Sequence, residues 1–100
     1  MYTIVESDKF KKAVADIWTE EERLEFFSFI AVNPLAGDVI PGLGGLRKIR
    51  WKVSGKGKRG GARVLYYNVL EEGIINMYYI YVKAEIENMT PKEILKLGKE

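Results

Sequence analysis

The stretch GGLRKIRWKVSGKGKRGGARVLYY (Gly44–Tyr67) carries half of the cations in the chain and no acid. Both of its ends alternate with the period of two that is typical of β-strands. Its middle, Ser54–Gly61, is rich in glycine and predicts a loop between them. Because like charges repel, such a stretch must be either well solvated or matched to an anion. We interpret it as a nucleic-acid surface, with a solvated hairpin loop as the plainer alternative.

Charge is unevenly distributed along the 100 residues of the chain. The net charge is only +2, but Val39–Leu70 carries +8 and the remainder carries −6. A solvated surface of mixed charge would not separate the two signs in this way. A molecule polarised like this favours a nucleic acid or another polyanion as its partner.

The composition disfavours several kinds of site and location. The chain has no cysteine and no histidine, which removes disulfides, thiol nucleophiles and the commonest general base and metal ligand. We therefore expect no metal and no other cofactor. No apolar run approaches the ~18 residues of a membrane span, and the opening MYTIVESDKF lacks the pattern of a signal peptide. We expect a cytoplasmic protein with no membrane partner.

Local signals predict a single α+β domain over residues 1–100, with the element order β-α-α-β-β-β-α. Ser7 is placed to cap the first helix, and Thr19 with Glu22 forms a capping box for the second. Thr90 at the N-cap and Glu93 three residues later mark the start of the last helix. The predicted elements are a strand over Tyr2–Glu6, a helix after Ser7, a helix from Thr19 to about Val32, strands over Leu46–Val53, Ala62–Leu70 and Ile74–Lys83, and a short helix after Thr90.

The last three strands are joined by short connections, which predicts a mainly antiparallel meander. The two N-terminal helices should cover one face of this sheet, and Pro34–Gly45 reads as a linker of turn residues. Alternation along Leu46–Val53 places Lys48, Arg50 and Lys52 on the opposite face. We expect that second face to be free of helices and to serve as the working surface.

One glycine-rich motif matches a nucleotide-binding pattern, but we reject nucleotide binding as its function. Gly55–Gly60 reads GKGKRG and matches the dinucleotide fingerprint GxGxxG. That fingerprint needs a strand before it and a helix after it, so that the pyrophosphate lies at the N-terminus of the helix. Here a predicted strand follows instead. The glycines are better suited to a sharp turn that lets cations approach a phosphate closely.

Arg63 is the cation that we expect to matter most. It lies at the start of a predicted strand, so the sheet should hold its position, and its planar guanidinium can grip two phosphate oxygens. Lys48 and Arg50 share one face of the preceding strand, and Lys83 ends the last strand. If the meander forms, these four side chains can converge on one patch; the alternative is four unrelated surface charges.

Such a patch can cleave RNA without histidine because RNA supplies its own nucleophile, the 2′-OH. Cleavage needs a base for that hydroxyl, positive charge for the developing phosphorane and an acid for the leaving 5′-oxygen. A lysine among other cations gives up its proton more readily, so the candidate bases are Lys48, Lys58 and Lys83. Arg63 would stabilise the transition state, and Tyr81 or a lysine would act as the acid.

The remaining predicted contacts hold the RNA rather than cut it. Cations bind the phosphate backbone, and a strand tyrosine can stack on a base as in single-strand binders, although half-buried packing is an equally common use. These predicted RNA-binding residues are Arg47, Lys52, Lys56, Lys58, Arg59 and Tyr66.

Three segments follow one another in the chain: GGLRKIR (Gly44–Arg50), GKGKRGGARVLYY (Gly55–Tyr67) and IYVKAE (Ile80–Glu85). Together they resemble the RelE/HigB superfamily of bacterial toxins, and most of all its HigB-type branch. The similarity covers most of the chain, and its best-matched block runs from Gly44 to Pro91. Any one segment alone would be a weak signal.

The resemblance implies a compact α+β fold like that of microbial RNases. It also implies metal-free cleavage of messenger RNA on the translating ribosome, and neutralisation by a cognate antitoxin, usually with a helix-turn-helix part. Toxin and antitoxin together would repress their own operon, so operator DNA would be contacted only through the antitoxin. By position, Lys48 and Arg50 match the paired strand cations of the family, Arg63 its transition-state arginine and Lys83 its lysine near the end of the last strand.

The chain also departs from some members of that superfamily. Where they carry an arginine and then a tyrosine, this chain has Ala84 and Thr90. The acid role would therefore fall to Lys58, Lys83 or Tyr81. Two other functions stay open: a non-catalytic module that binds RNA or the ribosome and blocks translation, and a protein whose basic face binds an acidic partner chain.

Overall fold

Five strands form one mixed sheet in the computed structural model, which describes residues 2–53, 57–82 and 90–99 and only the backbone at 57–60. The strands are β1 (Thr3–Glu6), β2 (Asp38–Val39), β3 (Arg47–Val53), β4 (Gly57–Val69) and β5 (Ile74–Val82). Their spatial order is β1-β5-β4-β3-β2. β1 runs parallel to β5, and the other neighbouring pairs are antiparallel. The predicted α+β class is confirmed.

Three α-helices accompany the sheet in the described ranges: α1 (Asp8–Ala15), α2 (Glu20–Val32) and α3 (Pro91–Leu97). The predicted start signals are confirmed, because the Ser7 hydroxyl accepts a bond from the backbone of α1, and Thr19 and Thr90 each open a complete capping box. A bilayer span needs about 20 mostly apolar residues, and no helix in these ranges meets that length and composition.

The order of elements differs from the prediction in the region expected to be a linker. β2 lies inside Pro34–Gly45 and pairs with the start of β3, so the predicted order β-α-α-β-β-β-α lacks one strand. β4 begins at Gly57, inside the segment predicted as a loop, because Gly57 pairs with Val53. Pairing with a neighbouring strand outweighs the turn preference of glycine here.

The main core lies between the first face of the sheet and the two N-terminal helices. Phe26 of α2 is completely buried, with its ring 5.3 Å from that of Trp18 and 5.1 Å from that of Trp51 on β3. Phe10 of α1 and Val64 of β4 are also fully buried in this cluster. The predicted position of α1 and α2 on one face is therefore confirmed.

The second face is not free of helices, so that prediction is wrong. α3 packs on it through Ile94, Leu95 and Leu97, which join a cluster with Leu65 and Tyr81. Leu65 is fully buried although it lies on the face opposite to α1 and α2. An apolar residue at that position needs a cover, and α3 provides part of it.

A β-bulge sets which tyrosines of β5 lie under α3. The register between β4 and β5 shifts by one residue between Leu65 and Tyr66, so that Tyr79 pairs with Leu65 and Met77 with Tyr66. Uninterrupted alternation would put Tyr78 and Tyr79 on opposite faces, but both belong to the second-face cluster. The Tyr78 hydroxyl donates a short hydrogen bond to the carbonyl of Leu95 in α3.

Candidate nucleic-acid interface

Three polar side chains lie in one line across the second face. Arg50 on β3 is the direct cross-strand partner of Arg63 on β4, and Arg63 is the partner of Tyr81 on β5. Directly opposed residues in antiparallel strands share a face and hold their Cβ atoms about 5 Å apart. We call Arg50, Arg63 and Tyr81 the cationic row.

Lys48 lies beside the cationic row on the same face. It is two residues from Arg50 along β3, a distance of about 7 Å at the rise of an antiparallel strand. Its own cross-strand partner on β4 is Leu65. Both Lys48 and Arg50 are exposed to solvent. The structure thus brings together three of the four cations that we expected to converge, Lys48, Arg50 and Arg63.

The fourth of those cations, Lys83, lies outside the described residues, as does Lys56. Lys58 and Arg59 belong to the first residues of β4, of which only the backbone is described. Their assignments as candidate base, acid or RNA contacts remain predictions.

Arg63 is almost completely buried and does not extend into solvent. Only 7% of the residue is exposed. Its Nη1 lies 3.4 Å from the carbonyl oxygen of Gly61 and 3.5 Å from that of Ala62, distances at which hydrogen bonds are weak. Burial, and after it the charge of Arg50, lower the pKa of the Arg63 guanidinium. A bound anion beside Arg63 would favour its charged form and so oppose this shift of the pKa.

Tyr81 ends the cationic row and is 5% exposed. Burial raises the pKa of its hydroxyl, while the neighbouring Arg63 charge acts in the opposite direction. The hydroxyl therefore carries its proton at neutral pH, as a general acid must, but burial makes that proton harder to release than in an exposed tyrosine.

Tyr66 and Arg47 have structural roles in this fold. The Tyr66 hydroxyl accepts from the Gly37 N–H at 2.8 Å and donates to the Pro34 carbonyl at 3.0 Å. Arg47 donates through Nη1 to the carbonyl of Gly37 at 2.6 Å and to that of Leu35 at 3.3 Å. Both side chains fasten the segment after α2 to the sheet.

The prediction that Tyr66 stacks on a base is wrong for this conformation, because its exposed fraction is 0%. Gly37 shows how tightly the ring is enclosed: a Cβ at that position would lie 2.8 Å from the Tyr66 hydroxyl oxygen. Arg47 pairs with Tyr66 across the strands and so lies on the face of α1 and α2. It is separated by the sheet from the cationic row.

Lys52 is also directed away from the cationic row. Alternation placed it beside Lys48 and Arg50, but its Nζ lies 2.8 Å from a carboxylate oxygen of Glu25 in α2. The hydrogen bond to Glu25 is the main cause that raises the pKa of Lys52. Lys52 would have to release this carboxylate before it could bind a phosphate.

Sequence reasoning missed two neighbours of the site. Asp38 of β2 is the cross-strand partner of Lys48, which places a carboxylate-bearing residue at the edge of the cations. α3 lies on the face of the cationic row and shares a cluster with Tyr81. A two-residue strand leaves no periodic signal, and the amphipathic pattern of α3 does not say which face of the sheet it covers.

The described residues contain no group of three acidic side chains close enough together to bind a metal ion. No protein-family model matches the chain.

Proposed function

We propose that this protein is an endoribonuclease toxin of the RelE/HigB type, which cuts messenger RNA on the translating ribosome and so inhibits translation. The fold would be that of the RelE-like, microbial-RNase-like domains. The partners would be ribosome-bound mRNA and a cognate antitoxin, and the location would be the cytoplasm. The proposal joins the resemblance of Gly44–Arg50, Gly55–Tyr67 and Ile80–Glu85 to the geometry of the cationic row.

One observation carries the proposal: Arg50 and Arg63 face each other across paired strands, and Arg63 is almost buried. Like charges directly opposite each other destabilise a sheet, and a buried charge costs more than an exposed one. The pairing concentrates positive charge at one place on the second face. A phosphodiester that gains charge as it is cleaved is the kind of ligand that such a pair stabilises.

The proposed reaction starts from the 2′-OH of the RNA. Its oxygen forms a bond to the adjacent phosphorus, its proton passes to a base, and the bond from phosphorus to the 5′-oxygen breaks. Arg63 and Arg50 stabilise the charge of the phosphorane, and Tyr81 supplies the proton that the leaving 5′-oxygen takes up. The products are a 2′,3′-cyclic phosphate and a 5′-hydroxyl. Lys48 is the candidate base among residues whose side chains are described.

Controlled expression in bacteria tests this function. We expect growth to arrest within a few generations, and primer extension to reveal new mRNA 5′ ends inside translated regions. An adjacent reading frame for a small helix-turn-helix protein, which restores growth when it is co-expressed, would identify the antitoxin. Normal growth at a verified protein level would contradict the proposal and favour an interaction protein for an acidic partner.

A binding module without catalysis is the second candidate. It is favoured by the low exposure of Arg63 and Tyr81, the two residues that would have to reach the reacting atoms. A protein of this kind would occupy the ribosome or its RNA and block translation while messages stay intact. Growth arrest without new 5′ ends is the result that distinguishes it.

A further inference from the structure

Three lysines follow one another along the exposed side of α3. Lys92, Lys96 and Lys99 are spaced by four and three residues, the spacing that places helical side chains in one line. Lys99 lies just past the helix, where its backbone N–H donates to the Lys96 carbonyl at 3.2 Å and continues the turn. All three are exposed, and we call them the lysine stripe.

We propose that the lysine stripe is a second contact for the phosphate backbone of RNA, beside the cationic row. This inference rests on the proposed function, because it assumes that the second face of the sheet binds RNA. The stripe would hold and orient the strand, while the row acts on one phosphodiester.

The position of the stripe is set by how α3 is docked. Ile94, Leu95 and Leu97 pack into the second-face cluster, and the Tyr78 hydroxyl bonds to the Leu95 carbonyl. Gly98 lies so close to the Tyr78 ring that a methyl group there would overlap with it. The helix is therefore fixed on the sheet with its apolar side inward, and the lysines point to solvent.

The same packing places the stripe near the cationic row. Tyr81 belongs both to the row and to the cluster under α3. Leu65, which α3 helps to cover, is the cross-strand partner of Lys48. The row and the stripe thus share one face of the sheet, and a strand of RNA that crosses the row also passes α3.

The charge of α3 suits phosphate more than it suits a protein surface. The acid within α3, Glu93, is tied to the N-cap, because its carboxylate accepts from the Thr90 N–H at 3.2 Å. The exposed line of the helix consists of lysines that span about 10 Å at the rise of an α-helix. Lysine contacts of this kind position a nucleic acid without reading its bases.

A matched pair of triple variants tests the inference. The first replaces the stripe (Lys92→Gln, Lys96→Gln, Lys99→Gln). The second replaces three exposed lysines of α1 (Lys9→Gln, Lys11→Gln, Lys12→Gln), a helix that packs on the opposite face of the sheet. Both variants lower the net charge equally, so a difference between them reports position. Thermal unfolding verifies that both retain the fold.

Binding is measured across a series of KCl concentrations with two probes, a fluorescent single-stranded oligoribonucleotide and purified ribosomes. Each lost phosphate contact on a single strand reduces the magnitude of the negative slope of log K against log salt by about 0.7. With at least one probe, we expect the magnitude of this slope to be about 2 smaller for the stripe variant than for the parent. The α1 variant should keep the parental slope. If the slope becomes shallower with ribosomes alone, the stripe contacts ribosomal RNA. If it becomes shallower with both probes, the stripe contacts single-stranded RNA in general.

Three results would overturn the inference. Equal slopes in the two variants would mean that the stripe makes no phosphate contact of its own, and the proposed function would stand if the parent binds RNA. Unchanged RNA binding with a weakened antitoxin complex would assign the stripe to a protein partner. A parent that binds neither probe would remove the proposed function as well.

Discussion

Replacing Arg63 with alanine is expected to lower the rate of cleavage of ribosome-bound mRNA by about 100-fold or more. The guanidinium lies in the middle of the cationic row, between Arg50 and Tyr81. Removing one fixed donor from a site that stabilises transition-state charge costs about 10²–10³ in rate. Single-turnover cleavage of a defined message, with the enzyme in excess over programmed ribosomes, measures this loss.

The matched control is Arg23→Ala. Arg23 is also a partly buried arginine, but it forms an ion pair with Glu6 at 2.7 Å and lies over the Phe27 ring on the helix-covered face. We expect its cleavage rate per folded molecule to equal that of the parent. Lys at position 63 keeps a charge but lacks the planar fork, so Arg63→Lys should recover only part of the activity. Parental cleavage by Arg63→Ala would show that the site is misplaced.

Phe26→Ala is expected to lower the free energy of unfolding by about 3–5 kcal/mol. Phe26 is fully buried and its ring contacts those of Trp18 and Trp51, so it joins α2 to the sheet. A loss of this size is a large share of the roughly 5–15 kcal/mol that keeps a domain folded. Urea unfolding followed by tryptophan fluorescence measures the change.

Leu24→Ala is the control on the same helix. Leu24 is 51% exposed, and a substitution on the surface changes stability by about 0.5 kcal/mol or less. If Phe26→Ala cost no more than Leu24→Ala, the core between α2 and the sheet would be wrongly described. Activity should fall with the folded fraction in Phe26→Ala, since the sheet that aligns the cationic row depends on this core.

Local signals in the sequence predicted the features that depend on a few neighbouring residues. The capping boxes at Thr19 and Thr90 are such features, because each is formed by residues three apart. The alternation of β3 is another, since a half-covered strand must change face at every residue. These signals were sufficient for the α+β class and for placing Lys48 and Arg50 together on one face.

Other features depend on contacts between distant segments and could not be predicted in this way. The burial of Tyr66 comes from the segment Pro34–Gly37. The exposure of Lys52 follows the alternation of its strand, yet its ammonium group forms a salt bridge with Glu25 of α2. The position of α3 is defined by the packing of its apolar side chains against Leu65 and Tyr81 on the second face. Each outcome depends on which partner is available in three dimensions.

The alignment of Arg50 with Arg63 also required the structure. Their opposition is set by the register of β3 and β4, and a shift of one residue would move Arg63 to the other face. The sequence indicated that both cations were in strands of one hairpin. It did not indicate that they were direct partners, which is the basis of the proposed chemistry.

Chemical analysis of the ends of the cleaved RNA tests the central claim most directly. The claim is that the cationic row promotes attack by the 2′-OH of the message on its own phosphodiester. Mass spectrometry of products from a short defined message on ribosomes should find a 2′,3′-cyclic phosphate upstream and a 5′-hydroxyl downstream, and a 2′-O-methyl group at the cleaved nucleotide should block the reaction. A 3′-hydroxyl with a 5′-phosphate, or cleavage that persists with the 2′-O-methyl group, would contradict the account.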